Sequence, residues 1–382
     1  MHYFEFGKRD ATIYSGGTTA SINTGLDEIL EINKVVNENG SVANVSRVLI
    51  DFDLSYISQS VIDGKMPTTT KFYLNLFDAT SEEVEAEQPL HVYMVSGSWK
   101  QGTGKLDHEP VTSDGVSYQY RDHDAQTPWV TGSVLTDGGA WFTGSQGSQY
   151  EVSTSFDLTF DKKDVRADVT DLVWNWIYSG STFPNNGFIV KRESSGSYST
   201  TFGYDANGQE GDSSRLGNLK YFSRETHTIY PPKLEAVWDD SSWSTGSLSA
   251  LSSTDLENLK VYFKNIRPEY QENSIVKFRV VGRELYPSSS FSTTPGELTI
   301  KYLPSASAYY SIKDAETEEV IVPFGSGSRI SCDTTGNFFR VQMNAFQAER
   351  NYRFIVKVVS GSGTLDEQIN YYDDGYEFRV VR

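Results

Sequence analysis

The feature that most restricts this chain is the alternation of apolar side chains. In Arg47-Val48-Leu49-Ile50-Asp51-Phe52-Asp53-Leu54, the residues Val48, Ile50, Phe52 and Leu54 share one side of an extended backbone, because successive side chains of a strand point to opposite faces. The other side, with Arg47, Asp51 and Asp53, reads as largely polar. Lys71 to Phe77 and Pro89 to Val95 follow as strands, and the glutamate-rich Ser81 to Glu87 between them reads as an exposed connection. Aromatic residues reach 13%, including 23 Tyr and 21 Phe, a composition suited to half-buried sheet faces. At 382 residues the chain exceeds what one core usually organises, so two β modules are expected.

One segment departs from the strand pattern. From Asp168 to Ile177 the apolar residues Leu172, Val173, Trp176 and Ile177 follow helical spacing, with Asp168 or Thr170 as cap, which predicts one short helix in the first module. Asn185-Asn186-Gly187 turns the chain into Phe188-Ile189-Val190-Lys191, and Lys233 to Trp238 closes the module. The Ser-rich stretch 239–255 has the composition of a linker. After it, strand signals recur at 259–263, 275–281, 298–302, 308–312, 320–322, 338–341, 352–359 and 376–381. That spacing suggests a second sandwich over 256–382, or two smaller β subdomains, with 353–358 and 377–381 pairing across the loop Gly361 to Asn370. No short-period repeat is present.

Charge and cysteine content narrow the partners. A net charge of −18 repels phosphate backbones and anionic lipid, so neither nucleic acid nor membrane is expected. The lone Cys332 excludes an intrachain disulfide, and no Cys/His cluster has zinc-site spacing. The residues from Met1 to Asp10 lack the apolar stretch of a signal peptide, and no window reaches the ~18–20 apolar residues of a membrane span, so a soluble protein made in a cytoplasm is expected.

The sequence contains no constellation that makes it an enzyme, and no cofactor is expected. There is no G-x-S-x-G elbow, and His2, His91, His108, His123 and His227 are scattered. Asp107-His108-Glu109 with Arg121-Asp122-His123-Asp124 is the densest polar cluster, and its spacing matches a solvated loop better than a ligand motif. The Gly/Ser/Thr/Asp-rich region from Trp99 to Ser155 reads as long loops at one end of a sandwich. Its Trp99, Trp129 and Trp141 are candidate glycan or partner contacts if their rings stand on a rim, and core or loop anchors if they do not. Trp243, alone in the Ser-rich stretch, is a candidate for docking against a neighbour.

Two resemblances bear on function. Asp10-Ala11-Thr12-Ile13-Tyr14, Asn23-Thr24-Gly25, Glu28 to Ile32, Arg47 to Leu54, Val92 to Trp99, Asp168 to Trp176, Asn186-Gly187-Phe188 and Tyr230 to Leu234 resemble, in order and spacing, the DNRLRE-type domain, a jelly-roll-like β-sandwich related to some carbohydrate-binding modules. Tyr302-Leu303-Pro304-Ser305, Tyr310 to Glu319, Ser331-Cys332-Asp333, Asn344 to Tyr352 and Tyr376 to Arg382 resemble the C-terminal part of structural proteins of T4-like tailed phages, particularly marine ones.

Strand spacing, composition and the first resemblance together give an expected all-β chain: a jelly-roll-like sandwich over 1–238, a linker over 239–255, and an immunoglobulin-like sandwich, or two small β subdomains, over 256–382. The expected role is a non-catalytic virion component in the neck, collar, tail or baseplate. It would be assembled in the host cytoplasm and docked to other virion proteins in symmetric copies. The alternative is a carbohydrate-binding module contacting host or secreted glycans.

Overall fold

The computed structural model describes residues 1–382 except 83, 85–86, 132–133, 144–148, 160, 193–208, 212, 214, 251–255, 288–290, 292, 295–297 and 361–366. The protein is mostly β, with 45% of its residues in strands. It divides into two compact units, Glu5–Glu235, and Met1–Phe4 together with Ala236–Arg382.

The strands that build the larger unit are β1 His2–Tyr14, β2 Ile29–Ile32, β3 Lys34–Val36, β4 Val42–Phe52, β5 Lys71–Leu76, β6 Glu87–Met94 and β7 Tyr120–Asp122. They continue as β8 Thr127–Thr131, β9 Val134–Thr136, β10 Ser153–Thr159, β11 Val165–Asp168, β12 Phe188–Arg192, β13 Leu219–Phe222 and β14 Lys233–Val237. Eight of them form a near-closed, barrel-like antiparallel sheet in the order β10-β6-β12-β4-β1-β14-β5-β11, whose two end strands approach each other. Two smaller sheets, β13-β2 and β7-β8-β9, complete the unit.

Register fixes which side chains share a face. Asp10 lies opposite Ile50, Thr12 opposite Val48 and Ile13 opposite Arg47, so Val48 and Ile50 project with Asp10 and Thr12, while Leu49 and Arg47 project with Ala11 and Ile13. Both sets are buried. The polar side that the alternation assigns to β4 is therefore interior, and Arg47 and Asp51 lie inside the protein. Gly187 is needed where β12 meets β4: its φ is +86°, and a Cβ there would stand 2.2 Å from the Ile50 carbonyl oxygen.

Two α-helices are present among the described residues, one more than the sequence pattern indicates. α2, Thr170–Tyr178, matches the expected helix, and Asp168 accepts the Thr170 amide hydrogen at 3.0 Å. α1, Ser55–Ile62, is short and carries its apolar side chains at Tyr56, Ile57, Val61 and Ile62. Only Ile57 and Ser60 are buried along it, and its start is marked by Asp53 accepting the Ser55 amide at 3.0 Å.

The second unit continues with β15 Ser249–Ala250, β16 Leu259–Lys264, β17 Glu269–Gln271, β18 Ile275–Glu284, β19 Lys301–Tyr302 and β20 Ala308–Asp314. It ends with β21 Val320–Val322, β22 Ser331–Asp333, β23 Gly336–Gln342, β24 Asn351–Ser360, β25 Gln368–Tyr372 and β26 Glu377–Val381. One sheet runs β15-β19-β18-β23-β22 with β16 on β18, and the other β17-β26-β24-β20-β21 with β25 on β24. Phe263, Phe278, Phe339, Phe354 and Phe378 join them in one core.

The expected pairing of the last two strands holds at Asn351–Arg353 with Glu377–Arg379. Beyond it β25, which begins inside the stretch read as a loop and runs past its end to Tyr372, takes Val356–Ser360 of β24. Of the expected strand 298–302 only Lys301–Tyr302 is paired, and Leu298 is exposed.

The first residues of the chain belong to this core. Phe4 is buried in the cluster with Met343 and Phe346, and its carbonyl accepts a hydrogen bond from Asn344 at 2.7 Å. In the stretch read as a linker, Asp239 pairs with Arg329 at 2.6 Å, and Ser242 and Ser244 bond to Cys332 at 3.0 and 2.9 Å. Residues 251–255 of that stretch lie outside the described residues.

Because Phe4 fills part of a shared core, Phe4→Ala is expected to destabilise the second unit by about 3 kcal/mol. Native-state hydrogen exchange should show the loss of protection in β18 and β23, with the larger unit's exchange unchanged.

Candidate functional site

The polar face of β4 is where most of the unusual chemistry of the larger unit collects. Ala11, Ile13, Leu49 and Ile189 form its apolar floor, and residues from Val95 to Trp141 cover it. Trp99, Trp129 and Trp141 are 2%, 0% and 5% exposed, so none stands on a rim where a sugar ring could stack. Their polar edges are used internally: the Trp99 indole N–H donates to the Asn186 carbonyl at 2.9 Å, and that of Trp129 to the Ser117 carbonyl at 3.0 Å. Arg9 lies 4.5 Å above the Trp99 ring and pairs with Asp51 at 2.8 Å, which accounts for one of the two buried polar residues of β4.

Arg47 accounts for the other. Its guanidinium grips Glu210 with two bonds, Nη2 to Oε2 at 2.7 Å and Nε to Oε1 at 3.2 Å, and donates to the Gly138 carbonyl at 2.5 Å. Lys191 reaches the same carboxylate at 3.1 Å. Both cations lie near the Trp141 ring, at 5.2 and 5.4 Å from its centre. Gly138 has a φ of +81°, and a Cβ there would stand 2.5 Å from the Arg47 Nη1 and from the Tyr118 ring, so only glycine fits.

Two more buried cations act on the same stretch. Lys34 donates to the Gln209 carbonyl, and Arg192 to the Gly217 and Ile32 carbonyls and to Gln88. Burial alone would raise the Glu210 carboxyl, but the charges of Arg47 and Lys191 outweigh it and hold the group below its ordinary value. Arg47, Lys191 and Glu210 are fully buried. The buried ion pairs tie distant chain segments together.

A second buried polar layer lies on the opposite face of β1. Thr24 accepts the Thr12 amide at 3.0 Å, Thr12 accepts the Glu31 amide at 3.0 Å, and Tyr14 donates to Glu31 at 2.9 Å. Asp10 accepts the Arg224 amide at 2.7 Å. Burial pushes Asp10 up to about 7, with the Glu225 charge adding to the rise and Arg224 opposing it. Burial likewise lifts Asp27 to about 6.

The remaining candidates are placed elsewhere. Trp243 is half-buried in the second unit, bridged to Cys332 and edge-on to Tyr302 at 6.2 Å, so its ring is used within its own unit. Asp107, His108 and Glu109 are exposed, Asp122 pairs with Lys100 at 2.7 Å and His123 packs edge-on against Tyr120. Among the described residues no group of three His, Cys, Asp or Glu side chains is arranged to hold a metal ion. None of their helices is long and apolar enough to cross a membrane. The chain matches no protein-family model and no curated protein.

Sequence reasoning did not single out Arg47, Lys191, Arg192 or Glu210. Arg47 and Glu210 are 163 residues apart, and nothing in local periodicity connects them.

Glu210→Gln leaves two buried cations facing a neutral amide and is expected to cost about 3–5 kcal/mol in urea denaturation. A raised carboxyl favours its protonated form in the fold. The penalty for ionising Asp10 is therefore fully present above about pH 7 and is relieved as pH falls towards its ordinary 3.8. Asp10→Asn, which keeps an acceptor for the Arg224 amide, should remove a pH-dependent difference on the order of 2 kcal/mol between pH 5 and 8, read from paired denaturation curves.

Proposed function

We propose that this chain is a non-catalytic structural component of a tailed bacteriophage virion, placed in the neck, collar, tail or baseplate and acting by protein–protein docking. In this reading the larger unit is a jelly-roll-like sandwich of the DNRLRE type and the second an immunoglobulin-like sandwich, assembled in the host cytoplasm with other virion proteins in symmetric copies.

The observation that carries the reading is where the larger unit spends its reactive side chains. Arg47, Lys191, Glu210 and Trp141 are all sunk against one another, so groups that could bind or activate a substrate serve as ties between distant parts of the chain. Such ties suit a rigid spacer. The buried, free Cys332 is compatible with assembly in a reducing cytoplasm. The glycan alternative loses the stacking platform it was built on, because the rings of Trp99, Trp129 and Trp141 are covered.

The reading is tested by purifying the source particle, identifying its chains by mass spectrometry and locating this one by cryo-electron microscopy. The expected result is a stoichiometric chain in the neck or tail assembly. Particles that lack it would overturn the proposal.

A further inference from the structure

Charge is distributed unevenly between the two units. Glu5–Glu235 carries 32 Asp and Glu against 18 Lys and Arg, whereas Met1–Phe4 with Ala236–Arg382 carries 19 against 15. Four of the larger unit's cations, Lys34, Arg47, Lys191 and Arg192, are buried, and so are four of its carboxylates, Asp10, Asp51, Glu210 and Glu235, so burial leaves its acidic excess unchanged.

One sheet face of the second unit has the opposite character. Register places Lys264 opposite Arg279, Lys260 opposite Arg283 and Lys277 opposite Arg340, with Phe338 opposite Arg279. The intervening residues Val261, Phe263, Phe278, Val280, Phe339 and Val341 enter the core. The outer face of β16, β18 and β23 therefore presents six cations. Among the described residues, Asp333 pairs with Lys277 at 2.8 Å and Arg279 at 2.6 Å, and Asp374 pairs with Lys260 at 3.3 Å. Lys264 and Arg340 are exposed, and neither has an ion-pair partner among the described residues. Phe338 is buried beneath the cations, its ring centre 3.7 Å from the Lys277 Nζ, and the apolar group the face exposes at one end is Ile275, 57% exposed.

We propose that this basic face is a docking surface for a second copy of the chain, and that it receives the acidic surface of that copy's larger unit. The proposal deepens the docking role given above and rests on it. A face with one sign of charge meeting a surface of the other sign gains association rate and orientation, and rejects its own kind. The two surfaces are different, so the contact is head-to-tail and propagates into a ring or a filament.

The test is sedimentation velocity of the full chain at about 100 µM, in about 20 mM and about 500 mM salt, where screening lengths differ several-fold. The wild type should associate at low salt and dissociate at high salt. The double variant Lys264→Glu with Arg340→Glu should weaken association at least about tenfold. Each new glutamate faces a cross-strand cation, Arg279 or Lys277, so the variant should fold, and an unchanged melting profile would verify this.

A wild type that stays monomeric at low salt, or association that the variant leaves intact, would overturn the proposal. So would binding of a DNA duplex through the same two residues in place of self-association, which would assign the face to a polyanion. Self-association is read on purified chain and particle occupancy on purified virions, so either proposal can fail without the other.

Discussion

The structure of the larger unit turns on the burial of Arg47. A guanidinium taken out of water carries a desolvation cost that only a close, hydrogen-bonded anion can offset. Glu210 supplies that anion at 2.7 Å, and with it comes the requirement that a segment 163 residues away be brought onto β4. Lys191, on the neighbouring strand β12, completes the site. Trp141 and Tyr118 then close over cations whose geometry is already set, and Gly138 is the only residue that fits beneath them. Coverage by the Val95–Trp141 region follows from the same demand, since a sheet face with Arg47 and Asp51 can be interior only if each is paired there.

The second unit depends on a different device. Its two sheets share a phenylalanine-rich core, and Phe4 joins that core from the other end of the sequence. Residues Glu5–Glu235 thus form between two parts of one unit, and the chain must return at Ala236 for that unit to be complete. Its buried polar side chains are paired as well: Asn337 accepts the Leu303 amide at 3.0 Å, and Arg350 pairs with Asp314 at 2.7 Å. Burial would raise the Asp314 carboxyl, but Arg350 and the amides of Thr317 and Glu316 bring it down to about 2. The cations of β16, β18 and β23 lie on the outer face, opposite the apolar core residues of the same strands.

Much of the strand framework is legible in the sequence because alternation reports a strand directly. Val48, Ile50 and Phe52, the run Phe188 to Lys191 and the helix at Leu172, Val173 and Trp176 all stand where their spacing puts them. Alternation does not report what covers a face. Arg47, Asp51 and Asp53 read as a solvent side, and only Asp53 is exposed. For the same reason Trp99, Trp129 and Trp141 stayed open between rim contacts and core or loop anchors, because glycine- and serine-rich composition marks irregular backbone without showing whether that backbone packs on a sheet. Helix α1 escaped for a simpler reason: its eight residues follow directly on the strand run that ends at Leu54, and Ile57 is its one buried large apolar residue.

The claim that these tryptophans form a packed layer over a charged sheet face can be measured directly. Label the chain with 5-fluorotryptophan, assign the fluorine resonances of residues 99, 129 and 141 by single replacement with phenylalanine, and add a soluble paramagnet. The account predicts three resonances that neither broaden nor shift between light and heavy water. Broadening of all three, to the extent seen for free fluorotryptophan, would contradict it.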